Sequence, residues 1–271
     1  MARVLPRPDR DRLGTLTALV LITYSLVRIV VLPAFRFEFT VLGLIIRMDI
    51  DTRLVMLTLA AAMAAAGADW LVRSHPLSPM GGVLAVHWIV PALAALALGA
   101  VLTRLPTGPG FPLGLALGAL CLVAVLVGEF IVLDSTDPRH DAAAVGLRIL
   151  SYLLLVGVFF TLCATEIRAI FVVPSVLVVV AAVSWRLWRL EPHQAKLWPY
   201  AAGLGWLVAQ IAWAFHYWPI PPLRESLILG LVVYEGTTAV TLLLHDQISA
   251  SRMIELGIVG GLALLATVGL A

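Results

Sequence analysis

A chain of 271 residues that is 61% apolar and only 13% charged departs from the soluble pattern of roughly half apolar and a quarter charged. A net charge of +2 is too small for a nucleic-acid binder, and no basic cluster with interleaved aromatics occurs outside the flanks of the apolar blocks. Those blocks run for about twenty residues, the length that crosses a hydrocarbon core of roughly 30 Å, and they lack the alternation of a membrane barrel.

Lipid-exposed backbone must satisfy its own hydrogen bonds. The expected fold class is therefore all-α, a polytopic transmembrane helical bundle of eight or nine helices. Residues 1–12 read as a basic cytoplasmic segment carrying Arg3, Arg7, Arg10 and Arg12. The stretch 13–34 exceeds a signal-peptide core and lacks a following cleavage site, so it reads as a retained first helix. Residues 35–51 (FRFEFTVLGLIIRMDID) are too polar to span and are expected to lie along the interface as a short amphipathic segment. Further helices follow over 52–72, 83–103, 112–133, 143–165, 167–187, 199–218, 225–244 and 253–271, which makes 13–271 a single transmembrane domain.

Turn chemistry separates most of them: Pro76 and Pro79 before Gly81-Gly82, Pro106 to Pro112, Asp134 to Asp141 around Pro138, and Pro219 with Pro221 and Pro222. Only Thr165-Glu166-Ile167-Arg168 lies between the fifth and sixth helices, which could be a tight hairpin or one long kinked helix. With nine helices and the N-terminus inside, eleven basic residues fall on the cytoplasmic side and six on the other, Arg28 being intramembrane. That bias orients the N-terminus toward the cytoplasm.

Ionisable groups inside membrane helices are costly and mark candidate sites. Glu235 lies near the middle of the eighth helix, with Thr238, Thr241 and His245 on its face. Arg28 is its natural partner. A midplane binding cluster of Tyr24, Arg28, Gln210 and Glu235 would make helices one, seven and eight neighbours. A second candidate binding set lies toward the cytoplasmic ends: Asp69, His87 and Glu129, with Arg148, His245 and Asp246 at similar depth. Carboxylates and histidines are ingredients of acid–base chemistry, yet no HExxH or paired carboxylates at helical spacing occur, so neither a metal site nor a catalytic residue is assigned. Asp49 and Asp51 form a DxD-like pair in the first outer loop. His216, Arg224 and Glu225 read as interface residues, and Cys121 and Cys163 as small core residues.

No cofactor is expected. The lone lysine, Lys196, sits in a loop, which excludes a retinal Schiff base, and no P-loop exists. Gly114/Gly118 and Gly257/Gly261 have GxxxG spacing, and the second helix is an alanine run ending in Gly67. Such faces allow close helix packing within the bundle or against another chain.

Four segments stand out together: Ala68-Asp69-Trp70-Leu71-Val72-Arg73-Ser74-His75-Pro76; His87-Trp88-Ile89-Val90-Pro91-Ala92-Leu93; Glu129-Phe130-Ile131-Val132-Leu133-Asp134 with Asp137-Pro138-Arg139; and His216-Tyr217-Trp218-Pro219. With them the chain resembles an uncharacterised family of bacterial multi-pass membrane proteins of the kind found in Chloroflexi. The resemblance implies a bacterial cytoplasmic-membrane location, directs attention to Asp69, His87, Glu129 and His216, and brings no activity with it. Glu235 lies outside the shared pattern.

Three functions are compatible with these residues. The leading expectation is a non-catalytic membrane module, meaning a complex subunit, assembly factor or lipid-binding protein. Its partners would be membrane lipids and other membrane subunits or further copies of the chain. A small-solute or ion carrier would use Glu235 with Arg28 near the midplane. A lipid-modifying intramembrane enzyme would use Asp69, His87 and Glu129.

Overall fold

The computed structural model describes residues 6–30, 33, 35–41, 44–77, 84–106, 108–165, 167–190, 196–246 and 249–269. Arg3, Pro79, Gly81-Gly82, Glu166 and Ala271, named above, lie outside the described residues. Nine α-helices occur among them: α1 Arg10–Leu26, α2 Thr52–Val72, α3 Ile89–Leu102, α4 Gly110–Ile131, α5 His140–Cys163, α6 Ala169–Trp188, α7 Trp198–His216, α8 Pro222–Leu244 and α9 Ala250–Gly269. The helical class expected from hydropathy is borne out, and α5 and α6 are separate helices. Six helices, α2, α4, α5, α6, α8 and α9, are long and apolar enough to cross a membrane.

One boundary differs from the expectation. Helix α1 spans 17 residues and ends at Leu26 instead of continuing to 34. The β-branched run Ile29-Val30-Val31 and then Pro33 disfavour further helix. Residues 35–51, expected as a short amphipathic segment, contain two strands. Strands β1 (Phe35–Val41) and β2 (Leu44–Ile50) pair antiparallel, with Arg36 opposite Asp49 and Glu38 opposite Arg47. The alternation Phe-Arg-Phe-Glu-Phe has the period of a strand. The DxD-like pair is divided between roles: Asp51 is the N-cap of α2, accepting the Leu54 N–H at 2.8 Å.

The chain divides into two compact units, Met1–Ala143 and Ala144–Ala271. In the first, α1 to α4 pack on the alanine face of α2, with Ala60, Ala64, Ala94, Ala95 and Val125 buried. Small residues permit the approach: Gly67 of α2 sits directly against Leu16 of α1, and a Cβ at Gly114 would lie 2.8 Å from Leu102. In the second unit α6 and α7 form the tightest hairpin, where a Cβ on Gly205 would meet the Leu177 carbonyl at 2.7 Å. Helix α8 packs on α7 through Gly236 and on α5 through Gly230. Only 6% of the apolar span of α9 is buried, and it packs along α8.

Candidate functional site

The first unit gathers polar groups where α2 and α4 end and α3 begins. A 3-10 turn over Leu84–Trp88 carries His87 into α3. Its Nδ1–H donates to Oε2 of Glu129, in the last turn of α4, at 2.8 Å. Glu129 is 1% exposed and the His87 side chain 18%, so the carboxylate stands behind the imidazole. Asp69, in the last turn of α2, accepts from Arg73 Nε at 2.6 Å and from the indole N–H of Trp88 at 3.3 Å. Arg12 of α1 donates to the Trp70 carbonyl and lies 4.8 Å over the Trp70 ring, an arrangement that suits cation–π attraction.

The turns beyond these helices are equally cross-linked. His75 is buried; its Nδ1 accepts the Leu77 N–H at 3.1 Å, and its ring meets Phe130 edge-on at 4.7 Å. Burial pulls the imidazole below its ordinary pKa, against an opposing pull from Asp134 and Asp137. Asp134 accepts from the Thr136 N–H and hydroxyl. Asp137 holds the Arg139 guanidinium at 2.7 and 3.0 Å, and Arg139 reaches back to the Pro6 carbonyl.

Three of the four distinctive sequence segments therefore meet in one place. The residues that join them, Asp69 to Trp88, His87 to Glu129 and His75 to Phe130, belong to those segments. Residues 32–270 match the family described as Protein of unknown function (DUF5656). The chain belongs to that family. Neither the curated proteins nor the solved structures contain a match to it.

The midplane candidates of this DUF5656 chain have other surroundings. Tyr24 donates its hydroxyl to the Ala95 carbonyl at 2.7 Å. Arg28 donates to the carbonyls of Leu102 and Leu105 at the end of α3 and lies 3.9 Å over the Phe111 ring. These partners are all in the first unit, whereas Gln210 and Glu235 belong to the second. Gln210 is half-buried on α7. Glu235 packs against α9, with a Cβ at Gly260 falling 3.1 Å from its Oε1, and that oxygen is enclosed with no hydrogen-bond partner among the described residues. The hydroxyls expected to share its face bond back to their own helix, Thr238 to Tyr234 and Thr241 to Thr237.

The second unit holds two groupings that the sequence did not single out. Near one end, Tyr152, Thr237 and Trp188 form a network: the Tyr152 and Thr237 hydroxyls are 2.6 Å apart, and the indole donates to the Thr237 carbonyl at 3.2 Å. They line a cavity of about 290 Å³ with Arg148 and Tyr234. At the other end, Glu225 lines a second cavity together with Cys163 and His216. No group of three His, Cys, Asp or Glu side chains suited to a metal ion occurs among the described residues.

Proposed function

We propose that this DUF5656 chain is a non-catalytic, multi-pass module of a bacterial cytoplasmic membrane. It would act as a complex subunit, an assembly factor or a lipid-binding protein, with its N-terminus on the cytoplasmic side. One observation carries the reading: the polar groups of the first unit that looked reactive are closed on one another or on the backbone. His87 is bonded to Glu129, Asp69 to Arg73 and Trp88, Asp137 to Arg139, and Arg28 to two carbonyls. Such pairs fix helix register and the angles at which chains enter the bundle. The excess of basic residues on the N-terminal side supports the orientation. It would put Arg12, Trp70 and Arg139 at the cytoplasmic headgroups.

Native mass spectrometry of the full chain, gently extracted from its own membrane, tests the reading. A co-purifying subunit or a defined lipid at fixed stoichiometry is the expected result; a bare chain overturns it.

A lipid-modifying enzyme is a second reading with one supporting observation. Glu129 fixes His87 through Nδ1, which leaves Nε2 to act as an acid or base on a headgroup. The carrier reading pairs Glu235 with Arg28, whose guanidinium donates to the carbonyls of Leu102 and Leu105.

A further inference from the structure

We propose that the cavity formed by the ends of α5, α6, α7 and α8 binds a small organic ammonium group. Alternation of helix direction brings Cys163, Val172, His216 and Glu225 to one end of the second unit. There they line a cavity of about 340 Å³ together with Phe215 and Trp218, at the small end of the range of ligand sites. Glu225 is 8% exposed and stands in the first turn of α8. The Cys163 thiol, a weak donor, lines the same cavity. No described arginine or lysine comes within ion-pair distance of Glu225. A buried carboxylate needs a compensating charge, and among the described residues His216 is the basic side chain that lines the cavity with it.

The rest of the lining selects the kind of cation. The side chains of Cys163, His216 and Glu225 do not converge as a metal-binding set. An anion would face Glu225 directly. An alkylammonium satisfies the carboxylate with its charge, and its carbon substituents suit the aromatic faces of Phe215 and Trp218. Trp218 is 66% exposed and Val172 4%, so the wall runs from an outer aromatic rim to an apolar floor. An aminophospholipid headgroup and a free amine share this chemistry. The inference does not depend on the module reading, because a carrier or an enzyme could hold the same group.

Radiolabelled choline and ethanolamine, bound at equilibrium to the full chain in phosphatidylglycerol nanodiscs, test for a free amine. Retention of phosphatidylethanolamine over phosphatidylglycerol in native mass spectrometry tests for a lipid. The expected result is saturable binding in one of the two arms. Glu225→Gln should weaken it at least tenfold, Trp218→Leu a few-fold, and Glu235→Gln not at all. Trp218→Leu, altered at an exposed rim, keeps the test decisive if Glu225→Gln does not fold. Absence of binding in both arms, or an affinity left unchanged by a folded Glu225→Gln or by Trp218→Leu, overturns the proposal.

Discussion

The Nδ1 of His87 and Oε2 of Glu129 stand 2.8 Å apart, with the carboxylate 1% exposed, so the entry to α3 is fastened to the end of α4 by a buried polar pair. Removing one partner of such a pair is more damaging than altering it. His87→Ala removes this partner from a buried carboxylate and should lower stability by about 3 kcal/mol. Glu129→Gln keeps an acceptor for the imidazole N–H and should cost about 1 kcal/mol. Denaturation of the full chain in lipid nanodiscs measures both, and equal small losses would mean that the pair does not fasten these helices.

His75 gives the first unit a pH dependence of defined sign. Its imidazole is held below the ordinary value chiefly by burial, so below that ordinary value the unfolded chain takes up a proton more readily than the folded one. The contribution is full above pH about 6.5 and is lost as the pH falls through the range between the unfolded and folded values. His75→Gln should flatten this part of the stability profile. Asp134→Asn should enlarge it, because Asp134 opposes the effect of burial. A His75→Gln profile that falls as steeply as that of the unaltered chain between pH 7 and 5 would rule the histidine out as the source.

Arg28 acts as a clasp at the end of α3. It bonds two carbonyls there and covers Phe111 at 3.9 Å. Arg28→Leu leaves those acceptors without their charged donor and should cost about 2 kcal/mol. Phe111→Leu removes only the ring and should cost about 1 kcal/mol. Arg28→Lys should fall between, since an ammonium lacks the planar fork that serves two carbonyls and a ring together. Unfolding in mixed micelles ranks the three variants, and a lysine variant as stable as arginine would show that charge alone suffices.

Hydropathy located most helices because apolar length is a one-dimensional property of the chain. It overran the end of α1, where Pro33 lies seven residues beyond Leu26, and at 35–51 it marked a segment too polar to span without resolving the period-2 pattern of Phe35, Phe37 and Phe39 into strands. For the site, depth was legible and azimuth was not. Asp69, His87 and Glu129 could be placed at one level from their distances to the turns. That His87 meets Glu129 while Asp69 turns to Arg73 and Trp88 depends on how each helix is rotated about its axis. The same gap hid Glu225 and Cys163, 62 positions apart, which meet only because α5 and α8 pack together. Arg28 shows the same gap: its depth suggested a carboxylate partner, and the unsatisfied carbonyls at a helix end are equally good acceptors for a long cation.

Helix α9 presents two glycine faces with opposite expectations. Gly260 faces Glu235, where an added Cβ would press on Oε1 at 3.1 Å, whereas Gly257 and Gly261 have nothing within 4 Å of an added Cβ. Gly260→Leu should therefore loosen α9 from α8, with partial relief from Glu235→Ala, read as protease sensitivity between the two helices. Gly257→Leu with Gly261→Leu should leave that packing intact, since each replaces a poor helix former with a good one, worth up to about 1 kcal/mol of propensity. A membrane partner seated on that GxxxG face depends on close backbone approach. The double variant should then stay folded while losing the co-purifying subunit expected of a membrane module. Retention of the subunit would place its contact elsewhere on the chain, and loss of folding would mean that the face is packed within the protein.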